Sequence, residues 1–180
     1  MNRRKFLQST AAAGLGLSMP HSLSNLVAAT PPPQIDLAVV HGPSAAQITR
    51  AAIDALGGIR KFIARGDVVV VKPNIGWDRL PEQAATTNPE VVAEVVRLCI
   101  EAGAKKVKVF DRPVNDPRRC YVQSGIAASA GSAGADVSYM DDRKFRDMEI
   151  KGIVLQSWPL YTEVIEADKV INIPIAKRHG

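Results

Sequence analysis

The sequence has few of the residues and motifs that mark a common class of enzyme or metalloprotein. It contains two cysteines and three histidines in 180 residues. The cysteines, Cys99 and Cys120, form no CxxC motif and no lipobox, so we expect two buried or spare thiols, with a disulfide as the alternative. They are too few for this segment to ligate an iron–sulfur cluster. No zinc spacing, nucleophile elbow, Walker motif or dinucleotide fingerprint is present.

The sequence also has a low net charge and few long apolar runs. The net charge of +5 includes three basic residues among the first 29, and without these the chain has 20 basic against 18 acidic residues, a net charge of +2. Such a weak charge predicts no nucleic-acid partner. No run of eighteen apolar residues follows residue 29, which predicts a soluble mature protein with no membrane partner.

Residues 1–29 resemble a twin-arginine signal peptide. The pair Arg3-Arg4 is followed by Phe6-Leu7 and a weakly apolar run, and small residues at 27–29 form a cleavage site. The resemblance implies that the chain folds first and is then exported to the periplasm by the twin-arginine translocase. An ordinary secretory signal peptide is the alternative, and it leads to the same compartment.

The rest of the sequence divides into a proline-rich spacer, residues 30–34, and one domain, residues 35–180. We predict strands at 35–40, 68–71, 106–110, 135–140 and 169–173, a hairpin arm at 148–155, and helices at 44–57, 59–64, 88–102, 118–130 and 159–167. This alternation predicts an α/β fold: a mostly parallel sheet flanked by helices, in a three-layer sandwich. Because the chain stops directly after a strand, we expect a domain truncated at its C-terminus.

Polar side chains follow the predicted strands where a parallel sheet binds its ligands, beyond the carboxyl ends of the strands. We assign catalytic roles to Lys72, Asp111, Lys177 and His179, and substrate-binding roles to Asn74, Thr86 and Thr87; no metal ligand is assigned. Together they predict a site for an anionic or carbonyl-bearing small molecule, with Lys72 or Lys177 as an electrostatic clamp. In this arrangement Asp111 orients His179 as a base or holds a metal.

Each of these residues also has a purely structural interpretation. The stretch 72–74 is then a strand end whose asparagine bonds the turn backbone, and Asp111 caps the loop that follows it. Thr87 and Glu90 fit a capping box for the helix at 88–102. The two candidates near the C-terminus are then solvated surface residues.

Several segments of the domain resemble the family known as Domain of Unknown Function 362. The matching segments are 66–74 (GDVVVVKPN), 85–92 (ATTNPEVV), 101–105 (EAGAK), Asp111, and 167–174 (ADKVINIP) continuing through Lys177 and His179. The resemblance covers residues 35–180 and the first half of the family's domain. Some relatives carry ferredoxin-type iron–sulfur modules, but this sequence lacks their cysteines, so no cluster is carried over and the cofactor is unidentified. The family's activity is unsettled, so the resemblance locates a site rather than naming a reaction.

These observations lead to one functional hypothesis and two alternatives. The first is a periplasmic enzyme, including a redox-linked one, that acts on an anionic small molecule at the carboxyl ends of the strands. The second is a periplasmic binding or accessory protein that uses the same crevice without catalysis. The third is a truncated, non-functional product.

Overall fold

The computed structural model describes residues 35–178, so the predicted signal peptide, the proline-rich spacer and His179 lie outside the described residues. The strands are β1 (Val68–Pro73), β2 (Lys106–Val109), β3 (Asp136–Val137), β4 (Phe145–Glu149), β5 (Ser157–Tyr161) and β6 (Lys169–Ile173). The α-helices are α1 (Ala45–Ala55), α2 (Pro89–Ala102), α3 (Pro117–Gln123), α4 (Ile126–Ser132) and α5 (Thr162–Ile165). No helix in this described part is long and apolar enough to cross a bilayer.

Four parallel strands form the main sheet, in the order β3-β2-β1-β6. In its centre Val71 pairs with Val109 on one side and with Ile171 on the other. Residues 69–71 of β1 have no exposed surface, because layers cover both faces of the sheet. Burial on both faces explains why β1 reads as an unbroken run of β-branched residues rather than an alternating pattern.

One face of the sheet is covered by helices, of which α2 is central. Val92 and Val96 of α2 pack with Val69 and Val71 in one buried cluster. The helix begins at Asn88, whose side chain accepts a hydrogen bond from the Glu90 backbone N–H at 2.8 Å. It ends at Gly103, which has a φ of 97° that favours glycine. The predicted boundaries of this helix are therefore confirmed.

The opposite face is covered by the short helix α5 and by the root of the β4–β5 hairpin, where Phe145 and Tyr161 pack. Val70, Phe110 and Tyr161 form a second buried cluster there, and the rings of Phe110 and Tyr161 meet edge to face at 5.1 Å. Lys108 of the sheet bonds Glu163 of α5 at 2.9 Å. Burial opposes ionisation of Glu163, but hydrogen bonds from Lys144 and Lys108 hold its pKa below the ordinary value. The helices form one layer, the sheet forms the second, and α5 with the hairpin forms the third. This arrangement confirms the predicted three-layer α/β sandwich.

The predicted strand at residues 35–40 is wrong. This segment has no strand pairing in the structure, and Leu37 and Val39 are 79% and 74% exposed. Alternating apolar residues favour an extended backbone, but a strand forms only where a neighbouring strand supplies hydrogen-bond partners.

Two predicted helices also differ from the structure. The stretch 118–130 is split into α3 and α4 at Gly125, whose φ of 70° interrupts helical geometry. The helix predicted at 159–167 is shorter, because β5 continues to Tyr161 and α5 covers only Thr162–Ile165. Pro159 is tolerated in β5 because a two-stranded ribbon leaves one edge of each strand unpaired.

Both cysteines are free and lie in the same buried cluster as the helical layer. Burial raises the pKa of the Cys99 thiol to about 11. At neutral pH this thiol is therefore protonated and unreactive. The structure confirms buried thiols rather than a disulfide.

Candidate functional site

The candidate site lies where the chain connections of β1 and β6 diverge. After β1 the chain passes to α2, on the helical face of the sheet. The chain enters β6 from α5, whose residue Val164 packs on the other face. Neighbouring parallel strands whose connections lie on opposite faces leave a crevice at their carboxyl ends. This topology places the crevice beside Asn74 and Pro174.

Thr87 ties together the ends of the two strands that border the crevice. Its hydroxyl oxygen accepts a hydrogen bond from the Asn74 backbone N–H at 2.8 Å, and the hydroxyl donates to the Ile173 carbonyl at 2.7 Å. Its own backbone N–H donates to the Asn74 carbonyl at 2.9 Å. Thr87 is buried, and Asn88 caps α2, so the capping-box interpretation of Thr87 is wrong.

The neighbouring candidate, Thr86, is 2% exposed and its hydroxyl has no hydrogen-bond partner within the described residues. It does not line the crevice.

The crevice has a volume of about 540 Å³ and gathers most of the residues predicted from the sequence. Its lining residues are Lys72, Asn74, Gly76, Trp77, Asp111, Arg112, Val114, Asn172, Pro174, Ile175 and Lys177. A groove of similar volume, about 530 Å³, runs along β6 and is lined mainly by apolar residues such as Ile53 and Phe62. Of these two cavities, the crevice is the one that brings together several charged side chains of the predicted site.

Asp111 is the buried anchor of the crevice. One carboxylate oxygen contacts the Lys72 ammonium at 2.8 Å, and the other accepts a hydrogen bond from the Ile75 backbone N–H at 2.7 Å. The Asp111 side chain is 6% exposed, whereas that of Lys72 is 46% exposed. The carboxylate therefore holds the lysine in place while the ammonium remains open to the crevice.

Tyr121 fixes the backbone of Asp111. Its hydroxyl accepts a hydrogen bond from the Asp111 N–H at 2.8 Å and donates to the Asp111 carbonyl at 3.0 Å. Burial raises the pKa of Tyr121 above its ordinary value, so the hydroxyl keeps its proton at neutral pH. Sequence analysis missed this residue, because only the packing of α3 against the end of β2 brings the two together.

Lys177 reaches the crevice from the segment that follows β6. Its ammonium donates to the Asn74 side-chain oxygen at 2.8 Å and to the Ala85 carbonyl at 3.0 Å. Both acceptors are neutral, so these bonds orient the ammonium without cancelling its charge. Lys72, Asn74, Asp111 and Lys177 are thus brought together as predicted.

Two further residues of the lining were not assigned a role from the sequence. The Arg112 guanidinium forms an ion pair with the Asp142 carboxylate at an N–O distance of 3.2 Å, and its central carbon lies 5.2 Å from the centre of the Phe145 ring. These contacts hold Arg112 at the side of the crevice. Trp77 supplies an aromatic surface to the lining. The position of Arg112 directly after Asp111 was the one sequence signal for its presence.

Among residues 35–178, no group of three or more His, Cys, Asp or Glu side chains lies close enough to hold a metal ion.

The fold defines the protein as an α/β sandwich with a charged crevice at the carboxyl ends of parallel strands. Residues 69–180 match the family model described as Domain of unknown function (DUF362), and the chain belongs to that family. A thylakoid-associated protein of Synechocystis sp. is 32% identical over 135 residues, which cover 73% of this chain. The chain spans about 40% of the length of this curated relative. No solved structure matches the chain.

Proposed function

We propose that the crevice binds an anionic small molecule between Lys72 and Lys177. The observation that carries this proposal is the bonding of Lys177, whose ammonium is oriented by an amide oxygen and a carbonyl and retains its full charge. The lining combines three cationic side chains with one carboxylate, that of Asp111. An anion that enters the crevice supplies the missing negative charge.

The shape of the crevice restricts the ligand further. A volume of about 540 Å³ suits a metabolite rather than a polymer. Trp77, Val114 and Ile175 supply apolar surface beside the charged groups. The ligand class that fits is a small carboxylate or phosphate ester with an uncharged organic portion.

Titration calorimetry with inorganic phosphate, succinate and citrate tests the proposal directly. The Lys177→Ala variant is expected to bind the best of these probes about tenfold more weakly, because it loses a charge-assisted hydrogen bond. Lys105→Ala is the matched control, since Lys105 is exposed and lies outside the crevice lining. Equal losses in the two variants, or no binding of any probe at low salt, would contradict an anion site at Lys177.

Catalysis in the same crevice is the second candidate function, and the Lys72–Asp111 pair favours it. A buried carboxylate in contact with a half-exposed ammonium is an arrangement that can hold and transfer a proton. Turnover that disappears in Asp111→Asn while ligand binding persists would establish an enzyme, including a redox-linked one. Binding without turnover would leave a periplasmic binding or accessory protein.

We also propose that the protein reaches the periplasm through the twin-arginine translocase, on the basis of residues 1–29. Replacing Arg3 and Arg4 with lysine is expected to retain the full-length precursor in the cytoplasm, as detected by fractionation and immunoblotting. Replacing Lys5 with arginine is the control and should leave export unchanged. Export of the double variant at the normal rate would point to the general secretory pathway instead.

A further inference from the structure

The β4–β5 hairpin projects away from the domain. At its root Phe145 pairs with Tyr161, which packs against the sheet, and at its far end Glu149 pairs with Ser157. The four residue steps from Phe145 to Glu149 extend the hairpin by about 14 Å from this root. Residues 150–155, named here the hairpin tip, close its end.

The backbone of the hairpin tip is tightly closed. The Ile150 N–H donates to the Gln156 carbonyl at 2.9 Å. Gly152 lies so close to Leu155 that a Cβ on it would be 2.5 Å from the Leu155 carbonyl oxygen. Any other residue at 152 would force the loop open. The tip is therefore a defined structure with its side chains directed outward.

Three consecutive aliphatic residues of the hairpin tip are exposed to water. Ile153 is 101% exposed, Val154 is 90% exposed and Leu155 is 50% exposed. Among residues 35–178, these three side chains belong to neither of the two buried clusters. Exposed apolar surface concentrated at one point indicates a contact surface.

The residues behind the tip are arranged in two faces. Met148 and Trp158 pair across the strands on the face that also contains Ile150, and both are exposed. Asp147 and Glu149 alternate with them and lie on the other face. From residue 150 to residue 162 the sequence contains no acidic residue, and Lys151 is the charged residue in this stretch.

We infer that the hairpin tip inserts into the interfacial region of a lipid bilayer that contains anionic lipids. Ile153, Val154 and Leu155 would enter the acyl-chain boundary, with Trp158 at the level of the headgroups, where tryptophan is enriched. Lys151 would extend its ammonium to the lipid phosphates. The sequence-based expectation of no membrane partner rested on the lack of a spanning segment, and an interfacial hairpin needs none.

The narrow shape of the tip favours a bilayer over a protein partner. A stable protein interface buries about 800 Å² on each side. The hairpin tip has four exposed aliphatic residues, Ile150, Ile153, Val154 and Leu155, which offer less surface than that. A bilayer needs no complementary cavity. The acidic side chains of the two hairpin strands, Asp147 and Glu149, lie on the face that would remain in water.

Vesicle flotation with the exported, mature protein tests this inference. Vesicles of phosphatidylglycerol and phosphatidylethanolamine are compared with vesicles of phosphatidylcholine alone. The triple variant Ile153→Ser/Val154→Ser/Leu155→Ser is expected to lose binding to the anionic vesicles by about tenfold or more. The control variant Leu37→Ser/Val39→Ser/Val122→Ser removes three aliphatic residues that are likewise mostly exposed and lie outside the hairpin, and it should bind as the unmodified protein does.

Tryptophan emission gives a second readout. Binding to anionic vesicles should shift the emission to shorter wavelength, and Trp158→Phe should abolish this shift while Trp77 remains. The vesicle experiments can also contradict the inference. It would be overturned if the unmodified protein did not float with the vesicles, or if the two triple variants lost vesicle binding to the same extent. Equal binding to both vesicle types would overturn the role of anionic lipid. A dimer detected by light scattering and lost in the hairpin variant, without vesicle binding, would assign the tip to contacts between copies of the chain.

Discussion

Replacement of Asp111 by alanine is expected to lower the free energy of unfolding by about 3 kcal/mol. The variant leaves the buried Ile75 N–H without its acceptor and removes the partner of Lys72. Most of the loss comes from the N–H, because the half-exposed Lys72 ammonium can still be hydrated. Urea unfolding measures the change as a lower midpoint at an unchanged slope.

Asp111→Asn is the matched variant, and we expect it to lower stability slightly while it raises affinity for an anion. Its side-chain oxygen can still accept from Ile75, so the free energy of unfolding should fall by only about 1 kcal/mol. The ammonium of Lys72 is no longer neutralised, so affinity for a simple anion should rise about fivefold. A loss of anion binding in Asp111→Asn would contradict this expectation and show that the carboxylate is needed to hold the Lys72 ammonium in place.

Replacement of Thr87 by valine is expected to cost about 3 kcal/mol of unfolding free energy. Valine has nearly the same shape, so the loss reports the hydroxyl alone. Without it the Asn74 N–H and the Ile173 carbonyl each lose a hydrogen bond in a partly buried region between β1 and β6. Urea unfolding measures the total, and amide hydrogen exchange at Asn74 should become faster as the two strand ends separate.

The serine variant separates the hydroxyl from the methyl group. Thr87→Ser keeps both hydrogen bonds and should lose about 1 kcal/mol, the contribution of one buried methyl group. It should also retain slow exchange at Asn74. Equal destabilisation by serine and valine would show that Thr87 acts through packing rather than by tying the strand ends together.

The part of the site that follows from strand polarity could be predicted from the sequence. Parallel strands end on the same edge of a sheet, so residues placed just after separate strands must meet. This reasoning located Lys72, Asn74, Asp111 and Lys177, which the structure gathers in one crevice. It relied on runs whose ends are marked locally, such as the proline at 73 and the glycine at 103.

Features that depend on tertiary partners could not be predicted in this way. Residues 35–40 have the pattern of a strand but find no strand beside them, and sequence alone does not supply that neighbour. Tyr121 lies on a helix, and only the tertiary fold brings its hydroxyl within hydrogen-bonding distance of the Asp111 backbone. Pro159 resembles the first residue of a helix, yet it occupies a two-stranded ribbon where its missing N–H is tolerated.

The hydrogen bonds that close the crevice have a consequence for the order of synthesis. Lys177 and Asn74 are 103 residues apart in sequence, and Thr87 and Ile173 are 86 apart. Contacts that close such large loops form after the local helices and turns. On the ribosome, β1, α2 and β2 can assemble while the chain is still growing, but the crevice is incomplete until residue 177 has emerged. A nascent chain released after β3 would therefore keep its helical layer and have no pocket.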